Sequence, residues 1–252
     1  AFGALMRDAE PPPPVDLKEV AADKIVFTRT GTMLLSVERV GATWDVADKA
    51  SRSATLAVRG VDVPVTEEMI QDNQRFFEET GYERLGGDLD VAIAYDAGTG
   101  VARIGPVSLV GRDMGTIAAT VVLTDAPDPL AVGEPDPGAW MRSKVSGIEL
   151  SYTDDSLMRR AMTAAAAEQG ITEAELIETG VREIDALFSN GEALGKAQEE
   201  MLTALQTFLK SPGTIELTAT PAEPVAVPAL GMTLMMAPSE AFDLLGIRVT
   251  AR

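Results

Sequence analysis

The chain has 252 residues, 21 of them Lys or Arg and 39 Asp or Glu, for a formal charge of −18, and it contains neither histidine nor cysteine. Without the proton-shuttling imidazole or the soft thiolate, it cannot build a Ser-His-Asp or Cys-His triad, a zinc site of the usual kinds or an iron–sulfur cluster. Its acidic balance repels phosphates and anionic headgroups, which argues against nucleic acid as a partner.

At 26.6 kDa the chain can bury a sizeable core. Its most apolar segment, Val225–Met236, is shorter than the roughly 18–20 apolar residues that a membrane-spanning helix needs, so no transmembrane segment is expected in it. Ala1 in place of an initiating Met is consistent with an imposed boundary or with removal of a signal peptide or membrane anchor. Residues 1–24, with the tetraproline Pro11–Pro14, read as a Pro-rich tail or linker, and ordered structure is expected from about Lys24.

Strand-like runs follow at Ile25–Thr30, Thr32–Val40 and Ala54–Val63; in the second, Met33, Leu35 and Val37 alternate with Leu34, Ser36 and Glu38. A helix is predicted from Thr66, whose hydroxyl can cap the first turn ahead of Glu67 and Glu68, with Gly81 as its stop. The next strand places Leu89, Val91, Ile93 and Tyr95 on one face and Asp88, Asp90, Ala92, Ala94 and Asp96 on the other. A hairpin loop over Asp96–Gly100 returns the chain through Val101–Ile104 and Val107–Val110, and a strand over Thr116–Thr124 aligns Ile117, Ala119, Val121 and Leu123.

Residues 125–138 hold four prolines, four acids and two glycines, and read as a linker between a β-rich half (25–124) and an α/β half (139–252). In the second half a strand over Val145–Thr153 precedes a helix over Ser156–Gln169 that Asp154 or Asp155 caps and Gly170 ends. Thr172 and Glu175 form a capping box for the next helix, whose apolar stripe is Ile177, Val181, Ile184 and Phe188. A third helix, Glu192–Lys210, carries Leu194, Ala197, Met201, Leu205 and Phe208; strands at Thr214–Thr220 and Ile247–Ala251 finish the fold. The expected class is α+β: a mostly antiparallel, curved sheet with amphipathic helices packed on one side.

The segment GGDLDVAIAYDAGTGVARIGPVSLVGRDMGTIAATVVLTD, residues 86–125, resembles the hairpins of AsmA-like envelope proteins and related uncharacterised exported proteobacterial proteins. GIELSYTDDSLMRRAMTAAAAEQGITEAEL and ALQTFLKSPGTIELTATPAEPVAVPAL resemble the C-terminal part of the same group. The resemblance implies a periplasmic or envelope protein of a Gram-negative bacterium, with a curved antiparallel sheet enclosing an apolar groove and a lipid as ligand.

Few constellations could carry chemistry. Asp88, Asp90 and Asp96 could supply oxygens to calcium, but the full D-x-[DN]-x-[DN]-G loop is missing and alternating acids are the ordinary solvent face of a strand. Asp154-Asp155 could be a catalytic pair, yet adjacent acids before a helix read first as caps. The glycines between Gly98 and Gly115 fail the dinucleotide spacing. No catalytic, metal or cofactor site is therefore assigned, and the chain is expected to be non-enzymatic. Candidate ligand-binding residues are Leu230, Met232, Leu234, Met235 and Met236, because methionine adapts to irregular apolar partners; packing within a strand or turn of the core is the competing reading. The expected partner is a lipid or other apolar ligand; the alternative is a structural module that self-assembles or docks on an envelope protein through edge strands and the Leu194–Phe208 helix.

Overall fold

A computed structural model describes residues 18–46, 50–72, 77–78, 80–131, 136–189, 195–237 and 240–252. Ten strands form one open antiparallel sheet: β1 (Glu19–Arg29), β2 (Thr32–Asp45), β3 (Ser51–Pro64), β4 (Arg84–Asp96), β5 (Val101–Gly111), β6 (Gly115–Thr124), β7 (Lys144–Asp154), β8 (Thr214–Ala219), β9 (Val225–Ala226) and β10 (Ile247–Ala251). The order is β1-β2-β3-β4-β5-β6-β7-β8-β10, with β9 paired to β7 beyond the end of β8. The fold is α+β, as the alternation predicts.

Two boundaries differ from those expected of the sequence. The ordered chain starts earlier than Lys24, because Glu19–Asp23 already pair with Arg39–Thr43 of β2; the first seventeen residues of the expected tail lie outside the described residues. The stretch 125–138 does not separate one sheet from another: β6 and β7, on either side of it, pair directly over ten positions. Proline and acid density there lies between two paired strands of one sheet, which composition alone cannot tell from an interdomain linker.

Register turns the alternation into two faces. Following partners across the sheet, Val58, Leu89, Leu109, Ile117 and Tyr152 fall in line, as do Leu56, Val91, Val107, Ala119, Leu150, Leu217 and Val249. The opposite face carries Arg59, Asp90, Ser108, Ala118, Ser151, Glu216 and Thr250. Each adjacent pair from β3 to β7 contains one register shift, at Val58/Val61, Val91/Ile93, Ile104/Val107 and Val122/Leu123. Bulges bend the strands that carry them, so a shift in every pair curves the sheet. The two short runs expected at Val101–Ile104 and Val107–Val110 are thus one strand interrupted by the Gly105-Pro106 bulge.

Among the described residues, helices cover the apolar face toward the C-terminal strands. Besides α1 (Glu67–Asp72), they are α2 (Pro137–Arg142), α3 (Leu157–Gln169), α4 (Glu173–Ser189), α5 (Lys196–Lys210), α6 (Val227–Met236) and α7 (Glu240–Leu245). Thr66 Oγ1 accepts from Met69 N at 3.3 Å and Asp154 Oδ1 from Met158 N at 2.7 Å, while Gly170 ends α3 in the left-handed region. Thr172 and Glu175 form the capping box: Glu175 Oε2 accepts from Thr172 N at 2.8 Å and Thr172 Oγ1 from Glu175 N at 3.2 Å. Packing runs α3 on α4, α4 on α5, and α5 along β10 and β8. The expected start of this last helix, including Leu194, and the Phe188 side chain lie outside the described residues.

Two clusters bury the apolar face under this cover. Ala102, Leu123, Ala126 and Val145 pack with Trp140 of α2 and with Val227 and Leu230 of α6; Ala219, Val225 and Leu245 form the second. Phe208 of α5, 4% exposed, meets the Tyr152 ring edge-on at 5.8 Å between centroids. Truncating such an aromatic costs about 3–5 kcal/mol, so Phe208→Ala is expected to lose about that much in urea unfolding while keeping the far-ultraviolet dichroism of the sheet.

Candidate functional site

The β5–β6 turn organises a concave part of the apolar face. Asp113 sits in the left-handed region, and its carbonyl accepts from the Tyr82 hydroxyl at 2.8 Å and from the Ser156 hydroxyl. The next carbonyl, of Met114, accepts from the amides of Asp155 and Leu157, both at 3.2 Å. One turn therefore anchors both the start of α3 and the segment that leads into β4. Arg160, one turn along α3, donates to the Thr80 carbonyl at 2.6 Å and lies 5.0 Å above the Tyr82 ring, tying those two elements to each other.

Between these supports lies an apolar groove of about 400 Å³. Leu89, Leu109 and Ile117 form its floor; Val61, Val63 and Leu85 stand on the β3–β4 side, and Met114, Tyr152 and Leu157 on the other. Among the described residues, Asp88 is the one charged residue in the lining. The groove is open rather than sealed, for Leu109 is 51% and Ile117 46% exposed. Its volume falls within the roughly 300–1,000 Å³ of small-molecule sites.

Glycines at Gly87, Gly111 and Gly115 stand side by side in register across β4, β5 and β6 and line the groove. Two of them are required by close approach. A Cβ on Gly87 would come within 2.0 Å of the Val110 carbonyl oxygen. One on Gly115, at φ +145°, would lie 2.3 Å from the Thr153 carbonyl oxygen and 3.0 Å from the Tyr152 ring. The bare backbone leaves room for the Tyr152 ring, whose hydroxyl donates to Asp154 Oδ1 at 2.7 Å. Burial, with that hydrogen bond and the carboxylate charge behind it, pushes the Tyr152 phenol well above its ordinary range.

The acids singled out in the sequence hold structure. Asp90 pairs with Arg59, Asp88 accepts from Gly60 N at 2.8 Å, and Asp96 accepts from Gly98 N and Thr99 N within its own turn. Asp154 caps α3 and accepts the Tyr152 hydrogen bond. Among the described residues no group of three or more acids could hold a metal ion.

The candidate ligand-binding residues fall elsewhere. Leu230 packs into both buried clusters, whereas Met232, Leu234, Met235 and Met236 stand out from α6, Met235 at 88% exposure. None of the five lines the groove. The competing reading of Leu230–Met236, a strand or turn of the core, gives way to a helix that follows a two-residue strand: Pro228 falls in the first turn, where its missing N–H costs nothing, and Ala, Leu and Met then favour the helix. Leu89 and Ile117 were legible as apolar-face residues. Tyr152, Met114 and Leu157 were not, since only pairing across β4–β7 brings them together; the glycines near the strand ends were the available signal.

The model of a family described as "Uncharacterized protein" matches residues 108–252, more than half of the chain, and the chain belongs to that family. The match takes in β6 to β10 and α2 to α7. No curated protein matches the chain.

Three outcomes are expected from this geometry. The folded state holds the Tyr152 phenol protonated, so that contribution is complete below pH about 10 and is lost as pH rises beyond it. Thermal unfolding between neutral and strongly alkaline pH should show a steeper decline for the parent than for Tyr152→Phe. On α6, replacing Met235 and Met236 together by Ser should change stability by less than about 0.5 kcal/mol, as at other exposed positions. Leu230→Ala should cost about 1–2 kcal/mol, below the full cost of a buried leucine, because the side chain is only half-buried.

Proposed function

We propose that this chain is a non-enzymatic, exported protein of the Gram-negative cell envelope that holds a lipid acyl chain, or another apolar ligand, in the groove on its curved sheet. The single observation behind this reading is the groove itself: apolar floor and walls, one charged lining residue, and a floor left half bare to solvent. An acyl chain laid along Leu89, Leu109 and Ile117 would gain about 0.8 kcal/mol for each methylene removed from water. Engagement of Asp88, Asp90, Asp96 and Asp154 in structural hydrogen bonds favours holding a ligand over transforming one. The AsmA-like cadence of the hairpins supplies the envelope setting.

Native mass spectrometry, with organic extraction of protein purified from its own host, tests the reading directly: a bound acyl species is expected. Binding of the neutral fluorophore N-phenylnaphthylamine gives a second measure. A carboxylate in the floor, Leu109→Asp, should weaken that binding at least about tenfold, the effect of some 1.4 kcal/mol, with the circular dichroism unchanged. Ligand-free protein from the host together with fluorophore binding indifferent to Leu109→Asp would end the proposal.

A second reading, a module that docks on an envelope protein, is favoured by α6. Residues 224–239 contain no charged side chain, although the chain as a whole is strongly acidic, and Met232, Met235 and Met236 project outward from α6, which packs on α2, where Met141 is exposed too. Photo-crosslinkers placed at Met235 and Met236 in the host should then mark one recurring protein; crosslinks to none would remove this reading.

A further inference from the structure

The two edges of the sheet are finished differently. β10 is five residues long and α5 packs along it. β1 is eleven residues long, exposed along nearly its whole length, and among the described residues no strand pairs with its outer edge. Val20, Val26 and Phe27 are each close to half exposed. A long edge with open backbone donors and acceptors is a template for another strand.

The shape of β1 restricts which strand can add. Val20 and Ala22 share the apolar face, opposite Ala42 and Val40; Ile25 and Phe27 share it too, opposite Val37 and Leu35. Between them Asp23 and Lys24 interrupt the alternation, with Lys24 in the left-handed region at φ 55°. A regular strand laid against this edge would lose its facing pattern at the kink. A second copy of β1, antiparallel, carries the same kink, and the two coincide in one register: the twofold axis must pass between Asp23 and Lys24. Val20 then faces Phe27 of the other copy, Ala22 faces Ile25, and Asp23 faces Lys24, each twice. Every apolar-face residue meets an apolar-face residue. A shift by one position sets Asp23 against Asp23 or Lys24 against Lys24, and turns the apolar set of one copy toward the polar set of the other.

We propose that β1 is a self-pairing edge, through which two copies form a twofold dimer and join their apolar faces into one uninterrupted surface. The Asp23–Lys24 kink serves as the register key. Charges on an edge strand ordinarily repel foreign pairing; here Asp23, which pairs with Arg39 of β2 at 3.7 Å, and Lys24 also complement their counterparts in a second copy. The proposal is independent of what the groove holds.

Light scattering on the full chain, over a wide concentration range, should give the mass of two chains, with Phe27→Lys shifting the dissociation constant upward at least about tenfold, equivalent to 1.4 kcal/mol. Since the chain has no cysteine of its own, paired substitutions report the register. Facing positions in an antiparallel pair lie within disulfide reach. Ala22→Cys/Ile25→Cys should therefore oxidise to a reducible covalent dimer, and Ala22→Cys/Phe27→Cys should not. A single-chain mass for the parent at every concentration overturns the proposal, as does equal crosslinking of the two pairs. A foreign strand captured by a chain that stays monomeric alone would also overturn it.

Discussion

The sheet presents one continuous apolar face, and among the described residues helices cover only a portion of it. The buried core and the openness of the groove trace to that mismatch. Strands β7, β8 and β10 lie beneath α5, and Ala102, Leu123 and Val145 lie beneath α2 and α6, so the C-terminal side of the face becomes an ordinary core. Over β4–β6 the cover stops at the β5–β6 turn, leaving Leu109 and Ile117 half bare. The groove is the seam between covered and uncovered sheet. Its walls stay in place because two carbonyls of a single turn hold α3 and the approach to β4 at once. Concavity here comes from hydrogen bonds to backbone, not from side chains shaped around a ligand.

The opposite face explains why so acidic a chain can form so regular a sheet. Its charges are paired across strands or used to shape bulges. Arg59 pairs with Asp90 and also donates to the Leu89 carbonyl at 3.2 Å, while the amide of Gly60, at φ +60°, donates to Asp88. A side chain on Gly60 would collide with Glu38 at 2.3 Å, so that glycine lets β2 and β3 share the kink. Hydrogen bonding to Arg84 likewise holds the Asp62 carboxyl below its usual range. These pairs are largely solvated and each contributes little energy; their value lies in fixing where the strands bend.

Legibility from sequence follows the range of the interaction. The alternation over β4 and β6, the Thr172–Glu175 box and the stop at Gly170 rest on near neighbours, and each stands in the structure as its residues indicate. The start of β1 was misplaced because Glu19–Asp23 lack a strong alternating pattern and owe their strand to pairing with β2. Val225–Met236 was legible as apolar but not as helical, since its hydrophobic residues cluster on no single face of a helix. The groove needed register: Tyr152 is thirty-five residues from Ile117 in sequence and its direct partner across the β6–β7 pair.

Curvature, groove and edge share one cause. Each bulge shifts the side-chain alternation, so a strand can continue the apolar face only if its neighbour is kinked at the matching level. From β3 to β7 the register shifts keep the face continuous from one strand to the next. At β1 the same requirement passes outward to whatever pairs there. A strand with a plain period of two satisfies one half of β1 and fails the other, whereas a strand carrying the same break satisfies both. The feature that bends the sheet within the chain therefore also determines what can extend it.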